Sequence, residues 1–488
     1  MISDTHYKKN MKKTFWIFLL LALGTFGFFL NIFYTPFLIW SEGVYKPWLF
    51  LNGFVLFRDV IWNRAGFDLY LLAGFYKLFG VNPLNFQIFI FISQAIIGIV
   101  MLLLLYRKSF QLAVTSYIVY ILFAFLIYGT ISQPAEILLG LFVFLIFFFY
   151  WEFIDKKSAK FLFFAGIATG FSLITKQTSL FVFIATLFLL LIYSKKNFLT
   201  NTKAYLLGTA VPVAGYVAYF MLNNALYDLY FNTIYVVLFP YRQNAPLWGL
   251  SEGIRLIGLH LAVLIPFALI KINNISKPIK TAVILFVLSL FGTLLPTFWS
   301  YRLISALPMF SIMTSIFLLQ GYSVIKKGKN YLITTIVVLG FIAFLIQFRS
   351  YYLQSIKYIS DHGGFFEQKY RLDAYREDDK KVTAWLKNNT GKNERVFNTV
   401  GNNLILFFSN RFPQNKYDTS MSFGFYPLEQ YWGTITENPA RVVVYDTNLP
   451  KDWKILKNWK YTNFLKEHYT LRETFGPYEI YILSEKKK

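Results

Sequence analysis

Residues 15–34 read FWIFLLLALGTFGFFLNIFY and follow Lys8, Lys9, Lys12 and Lys13. The run matches the roughly 20 residues that a bilayer-spanning helix needs. A cleaved signal peptide has a shorter apolar region and a small-residue cleavage site, whereas this run passes into Asn31 and Thr35 with no such site. It reads as a retained span entering from the basic, cytoplasmic side. Working outward, comparable runs lie near 84–105, 110–129, 136–154, 160–175, 178–193, 204–222, 254–271, 279–297, 303–321 and 331–348. With the first they predict about eleven spans.

Composition agrees. Of 488 residues, 56% are hydrophobic and only 15% are charged, where a soluble domain carries about a quarter charged residues. A purely soluble globular chain is excluded, and 55 Phe with 34 Tyr exclude a solvated disordered one. The 48 Lys and Arg against 25 Asp and Glu give a net charge of +23. These cations cluster between apolar runs rather than along one solvated face, which speaks against nucleic acid and for loops beside anionic lipid. The absence of Cys removes disulfides, thiolate metal sites and cysteine nucleophiles. His6, His260, His362 and His468 are too scattered to build a His-ligated metal site.

Charge alternation supports the span count. Arg107-Lys108, Lys156-Lys157 with Lys160, Lys195-Lys196 with Lys203, Lys271 with Lys277 and Lys280, and Lys326-Lys327 with Lys329 occupy every second short loop. The intervening loops carry only Lys176 and Arg302, as the positive-inside rule expects of the outer face. An odd span number then exports the C-terminus. The fold expected is mainly α, a polytopic membrane helical bundle of about eleven transmembrane helices over 1–349, followed by an extracytoplasmic α/β domain over 350–488. In that tail, Arg395–Val400, Arg441–Tyr445 and Tyr478–Leu483 read as strands, while Lys380–Lys387 and Asn403–Phe408 read as helices. Two further outer segments are expected: the loop 35–83, and 223–253 with interfacial helices or a re-entrant piece.

The loop 35–83 holds Ser41-Glu42-Gly43-Val44-Tyr45 and Phe57-Arg58-Asp59, with Trp40, Trp48 and Trp62 nearby. A carboxyl shielded by aromatics at a membrane surface loses hydration, and its pKa rises toward the range useful to a general base. Glu42 and Asp59 are the candidates. Pairing with Lys46, Arg58 or Arg64 at a wet interface fits the same spacing. Outer-side cations number few: Arg58, Arg64, Lys176, Arg242 and Arg302. They suit a phosphate group, while Lys176 and Arg302 also fit plain anchoring at a span end. Gln133 and Glu136 start a span on the same side. Glu136 suits either a cavity or a helix N-terminus.

The order Glu42-Gly43-apolar-Tyr45, Gly53, Phe57-Arg58-Asp59, then a helix closing on Lys77-Leu78-Phe79-Gly80, resembles the first outer loop of polytopic membrane glycosyltransferases. Lys176-Gln177-Thr178, Tyr301-Arg302 with Pro308, and an exported α/β tail extend the likeness over most of the chain. The chain is similar to the GT-C superfamily, in the branch of protein O-mannosyltransferases and the lipid A aminoarabinose transferase. That resemblance implies a GT-C bundle and an inverting transfer of a sugar from a polyprenyl-phosphate donor to a protein, lipid or polysaccharide acceptor at the outer face of the cell membrane. It implies an acid just beyond the first span that deprotonates or orients the acceptor, mapping to Glu42, with Asp59 as the second acid. Arg58, Arg64, Lys176, Arg242, Tyr301 and Arg302 become donor- or phosphate-binding candidates, and Gln133 and Glu136 cavity candidates. Relatives often carry Asp-Glu where this chain has Ser41-Glu42, and Pro where it has Phe67. A divalent cation stays open, because paired acids serve either a base or a metal. A lipid-linked saccharide transporter and a polysaccharide polymerase or ligase are the other readings of a multispan chain handling lipid phosphates.

Overall fold

The computed structural model describes residues 19–27, 38–39, 41–62, 64–128, 133–194, 197–238, 276–294, 300–326, 371–372, 375–399, 403–416, 436–448 and 459–484. The expected spans 254–271 and 331–348, most of 15–34, and Arg242 lie outside these residues. The chain divides into two compact units. One comprises residues 1–38, 87–216 and 247–371, and the other 39–86, 217–246 and 372–488.

In chain order, helical residues 19–27 form α1 and Leu38–Ile39 a short strand, β1. Then come α2 (Ser41–Leu51), α3 (Phe67–Phe79), α4 (Pro83–Tyr106), α5 (Phe110–Tyr128), α6 (Pro134–Lys156), α7 (Ala159–Thr175), α8 (Leu180–Tyr193) and α9 (Phe198–Leu222). Next follow α10 (Leu226–Tyr230), a π-helical turn Phe231–Tyr235, α11 (Val236–Leu238), α12 (Lys277–Leu294), a 3₁₀ segment Ser300–Ala306 and α13 (Leu307–Lys326). Among the described residues α4, α6 and α9 are long and apolar enough to cross a membrane, and shorter apolar helices cover Phe110–Ala124, Ala159–Thr175, Gln177–Tyr193 and Arg302–Ile316. Their bounds track the expected runs.

In the first unit α7 packs against α6, α13 against α5, and α12 against α8 and α6. Helices in lipid gain little from apolar burial against one another, so close approach through small residues matters. Gly166 and Gly208 supply it reciprocally: a Cβ on Gly166 would sit 2.1 Å from the Tyr205 carbonyl oxygen, and one on Gly208 2.1 Å from that of Phe163. The Tyr205 hydroxyl donates to Thr169 Oγ1 at 3.0 Å in the same seam. Beyond the helix ends, Lys108 in the α4–α5 turn reaches Glu152 at 2.7 Å and Asp155 at 2.6 Å near the end of α6, while Lys156 also reaches Glu152 at 2.6 Å. Two turns that the charge pattern assigns to one side of the membrane are thus tied together.

The second unit is built on a five-stranded sheet. After β2 (Arg371–Leu372) and α14 (Glu377–Asn389) come β3 (Arg395–Asn398), α15 (Leu404–Ser409), β4 (Phe412–Pro413), β5 (Val442–Asp446), α16 (Trp459–His468), β6 (Tyr469–Phe475) and β7 (Tyr478–Leu483). The order is β4-β3-β5-β7-β6, with β4, β3 and β5 parallel and β7 antiparallel to both β5 and β6. Alternation along β5 decides the faces. Val442 and Val444 pack with Tyr45, Trp48, Leu49 and Val60 of the first loop and with Val382, Leu386 and Ile480. Val443 points the other way, into a core with Ile61, Val236, Phe397 and Leu465. The tail is the α/β domain that its sequence indicates. The sequence separates loop and tail at about residue 350, whereas here residues 39–86 and 217–246 fold with the tail because their aromatic and aliphatic side chains complete both faces of its sheet.

Candidate functional site

In the second unit, Glu42 stands in the first turn of α2, where an acid complements the helix dipole, and is only 6% exposed. Pro47 lies inside the same helix and has no N–H for the carbonyl of Gly43 four residues earlier. That carbonyl instead accepts from the Tyr76 hydroxyl of α3 at 3.3 Å, and burial holds the phenol well above its ordinary pKa. Gly43 has no room for a side chain, since a Cβ would meet Phe86 at 2.4 Å. The helix carrying Glu42 is therefore seated on α3 by a contact that Pro47 makes available.

One turn after Glu42, Lys46 is fully buried, with its Nζ 2.6 Å from the Ile61 carbonyl oxygen and 4.8 Å from the centre of the Trp62 ring. The Arg64 guanidinium lies 5.4 Å from that ring, so two cations share one indole. The chain then enters α3 through Gly66, whose positive φ of 84° suits glycine, and buries Asp68 in the first helical turn. Glu42, Lys46, Arg64 and Asp68 are thus four buried charged residues on α2, α3 and the segment joining them. Lys46 and Asp68 are absent from the sequence-derived set. Their available signals are position: Lys46 falls on the helical face of Glu42 at i+4, and Asp68 opens a helix after a glycine.

Asp59 has a different setting. Its Oδ2 accepts from the Val55 N–H at 2.7 Å, and Arg58 donates to Oδ1 at 3.0 Å and to Oδ2 at 2.7 Å. The carboxylate closes a tight turn in which Phe57 adopts a φ of 70°. Arg58 also donates to the Asn223 carbonyl at 2.9 Å, and its hydrogen bond to Asp59 raises its pKa further. The Arg58 and Asp59 side chains are 39% and 29% exposed, so this acid is wetter than Glu42.

In the first unit, Gln133 is buried just ahead of α6, and Glu136 follows in its first turn. Helix α7 ends where Lys176 turns extended (φ −155°), and the Lys176 Nζ meets Glu136 Oε1 at 2.5 Å with both side chains almost wholly buried. Glu136 Oε2 has no hydrogen-bond partner among the described residues. A cavity of about 10 Å³ beside the pair is lined by Leu139, Val143 and Val182 as well as by Lys176, Thr178, Ser179, Ser289 and Ser305, room for about one water. Arg302 is buried in the 3₁₀ segment that also contains Tyr301. Among the described residues, no group of three His, Asp or Glu side chains is placed to hold a metal ion.

Known proteins place this architecture. Residues 67–222 match the family model described as dolichyl-phosphate-mannose-protein mannosyltransferase. Among solved structures, ArnT from Cupriavidus metallidurans bound to undecaprenyl phosphate is similar with a TM-score of 0.60 at 10% identity, covering 96% of this chain and 98% of its own. The same protein in the apo state gives 0.58 at 11% identity, covering 96% and 98%. The archaeal oligosaccharyltransferase AglB from Archaeoglobus fulgidus, in complex with an inhibitory peptide and a dolichol-phosphate, gives 0.56 at 13% identity, covering 98% of this chain and 75% of its own. Among curated proteins no relative matches the sequence. Over nearly its whole length the chain therefore has the fold of ArnT and AglB, and the family match falls on residues 67–222.

Proposed function

We propose that this chain is an integral membrane glycosyltransferase that moves a sugar from a polyprenyl-phosphate donor to an acceptor at the outer face of the cell membrane, with inversion. Glu42 is the base that takes the acceptor proton, and Asp59 orients the Arg58 cation or the acceptor. Arg64, Arg58, Lys176, Tyr301, Arg302 and Arg242 meet the donor and its leaving phosphate, with Gln133 and Glu136 beside the cavity. The N-terminus is cytoplasmic and the tail outside. The observation that carries this reading is the buried Glu42 at the start of α2, just after the first apolar run, in a fold shared along nearly its whole length with ArnT. A base must be shielded from water yet able to ionise, and a phosphate leaving group needs cations.

The test uses the purified protein in lipid nanodiscs with undecaprenyl-phosphate-linked arabinose, mannose, glucose and galactose, each labelled in the sugar. Release of label from the lipid to an acceptor is expected for one of them, with inverted anomeric configuration. Glu42→Gln should lower transfer a hundredfold or more while donor binding changes less. Full transfer by Glu42→Gln would defeat the assignment of the base. The Lys176–Glu136 pair among apolar helices favours a second reading, a lipid-linked saccharide transporter, because transporters place ionisable groups within their spans. Movement of labelled lipid between leaflets of reconstituted vesicles, without transfer in any assay, would select it.

A further inference from the structure

The helical stretch Leu226–Leu238, made of α10, the π-helical turn and α11, presents two unlike faces. On one, Asn232 and Val236 are buried, Val236 in the core that it shares with Ile61, Phe397, Val443 and Leu465, and Asp228 pairs with Lys416 at 2.9 Å. On the other, Leu226, Tyr230, Ile234 and Leu238 stand four residues apart with Tyr227 beside them. All five are exposed, Tyr227 by 71% and Leu238 by 57%. Positions four apart drift about 40° around a regular α-helix. The wider π-helical turn at Phe231–Tyr235 takes that drift back and keeps the stripe on one side. Stacking of the Tyr227, Phe231 and Tyr235 rings, with centroids 5.9 and 5.1 Å apart, stiffens it. Asp228 is the one charged residue between Asn223 and Leu238, so no charge on the stripe favours water.

What covers the stripe follows from where it begins. Helix α9 is long and apolar enough to cross a membrane, and it ends at the exposed Leu222. Asn224 then takes a left-handed φ of 53°, and the Ala225 N–H returns to the Phe220 carbonyl at 2.8 Å, so the chain turns away within one helical turn of the end of the span. The stripe starts at the level where the span leaves lipid, a level that favours Tyr beside aliphatic side chains. We propose that Leu226–Leu238 is a membrane seat: its Leu, Tyr and Ile face lies in the headgroup–acyl boundary of the leaflet on the tail's side, while its other face carries the tail's sheet. That second face argues against a re-entrant course, because it belongs to the α/β core rather than to neighbouring spans. The Arg58–Asp59 turn is joined to the same seat. Arg58 donates to the Asn223 carbonyl at 2.9 Å, and the Phe57 ring lies 5.3 Å from that of Phe220. The seat thus sets the height of this turn above the lipid, whichever sugar or saccharide lipid the chain handles.

The chain has no Cys, so each single-cysteine variant carries one label. Full-length Leu226→Cys, Tyr230→Cys and Ile234→Cys, each bearing a nitroxide, are placed in nanodiscs of phosphatidylcholine and phosphatidylglycerol. Collision of the label with oxygen, which concentrates in lipid, is measured against collision with a nickel chelate, which stays in water. Leu207→Cys on α9 is the lipid reference and Glu473→Cys on β6 the aqueous one, both positions being exposed. The oxygen-to-nickel ratio at the three seat positions should exceed that of Glu473→Cys several-fold. A variant that is not monodisperse is replaced by Tyr227→Cys or Leu238→Cys on the same stripe. Ratios equal to that of Glu473→Cys would overturn the proposal. So would protection from both reagents with dipolar broadening between labels, which puts a second copy of the chain on the stripe instead of lipid. Sugar transfer is not part of the readout, so its failure and that of the seat are distinct.

Discussion

A carboxylate and an ammonium that leave water together are costly to separate, and Lys176 with Glu136 is the clearest case here. Lys176→Met would leave Glu136 buried and charged without its cation, and the bundle should lose on the order of 3–5 kcal/mol. Adding Glu136→Gln should restore part of it. Thermal unfolding of the two variants in one detergent checks this. Asp59→Asn removes an ion pair that water reaches, so stability should change by about 1 kcal/mol or less, and sugar transfer should fall less than in Glu42→Gln. The tail contains a group with a legible acid response. Burial acts to raise the Glu394 carboxyl, but hydrogen bonds from Arg441 at 2.8 and 3.1 Å and from the Gly391 N–H at 2.6 Å outweigh it and hold the pKa below its usual 4.5. Stability from this pair is full above the unfolded value and is lost as pH falls through the lower folded one. Glu394→Gln should therefore flatten the acid-side decline of Tm below about pH 4.5. At this scale the sequence showed which residue types stand where. It did not show that Lys176 meets Glu136 forty positions away, nor that Lys46 is buried beneath Trp62, because such contacts depend on how helices pack rather than on spacing.

Elements were more legible than contacts. Apolar runs mark α4 to α8 to within two residues because lipid imposes length and composition together, while α9 begins at Phe198, six residues ahead of its run. Strands at Arg395, Val442 and Tyr478 show through β-branched and aromatic residues between turn signals. Helix-to-helix fit was not legible, since a glycine that faces a neighbour's backbone looks like any other. Gly166 and Gly208 face such backbone, whereas at Gly215 on α9 no atom of the described residues lies within 4 Å of where an added Cβ would sit. Gly166→Ala and Gly208→Ala should thus push α7 and α9 apart and lower the yield of monodisperse protein, while Gly215→Ala should be tolerated. Size-exclusion profiles of the three variants, expressed in parallel, decide between fit and composition.

For the molecule as a whole, the charge pattern assigns Arg107, Lys108 and Lys156 to one side, and the ion pairs from Lys108 to Glu152 and Asp155 are consistent with it. Residues 39–86, 217–246 and 372–488 likewise form one unit, as segments assigned together to the outer face would. Reporter fusions after Lys488 should signal from outside and those in the Arg107-Lys108 turn from the cytoplasm; the reverse pattern would invert the proposed site. The sharing of one core by α2 and the β3–β5–β7 strands also fixes a timetable for biogenesis. Trp48 and Val60 leave the ribosome roughly 350 residues before Val396 and Val442, against which they pack. At about 5–20 residues per second, the first loop waits on the order of 20–70 s for its partners. Until the last strands arrive, α2 has no sheet to bury against. A nascent or truncated chain would hold every charged residue of that loop without the core that seats it.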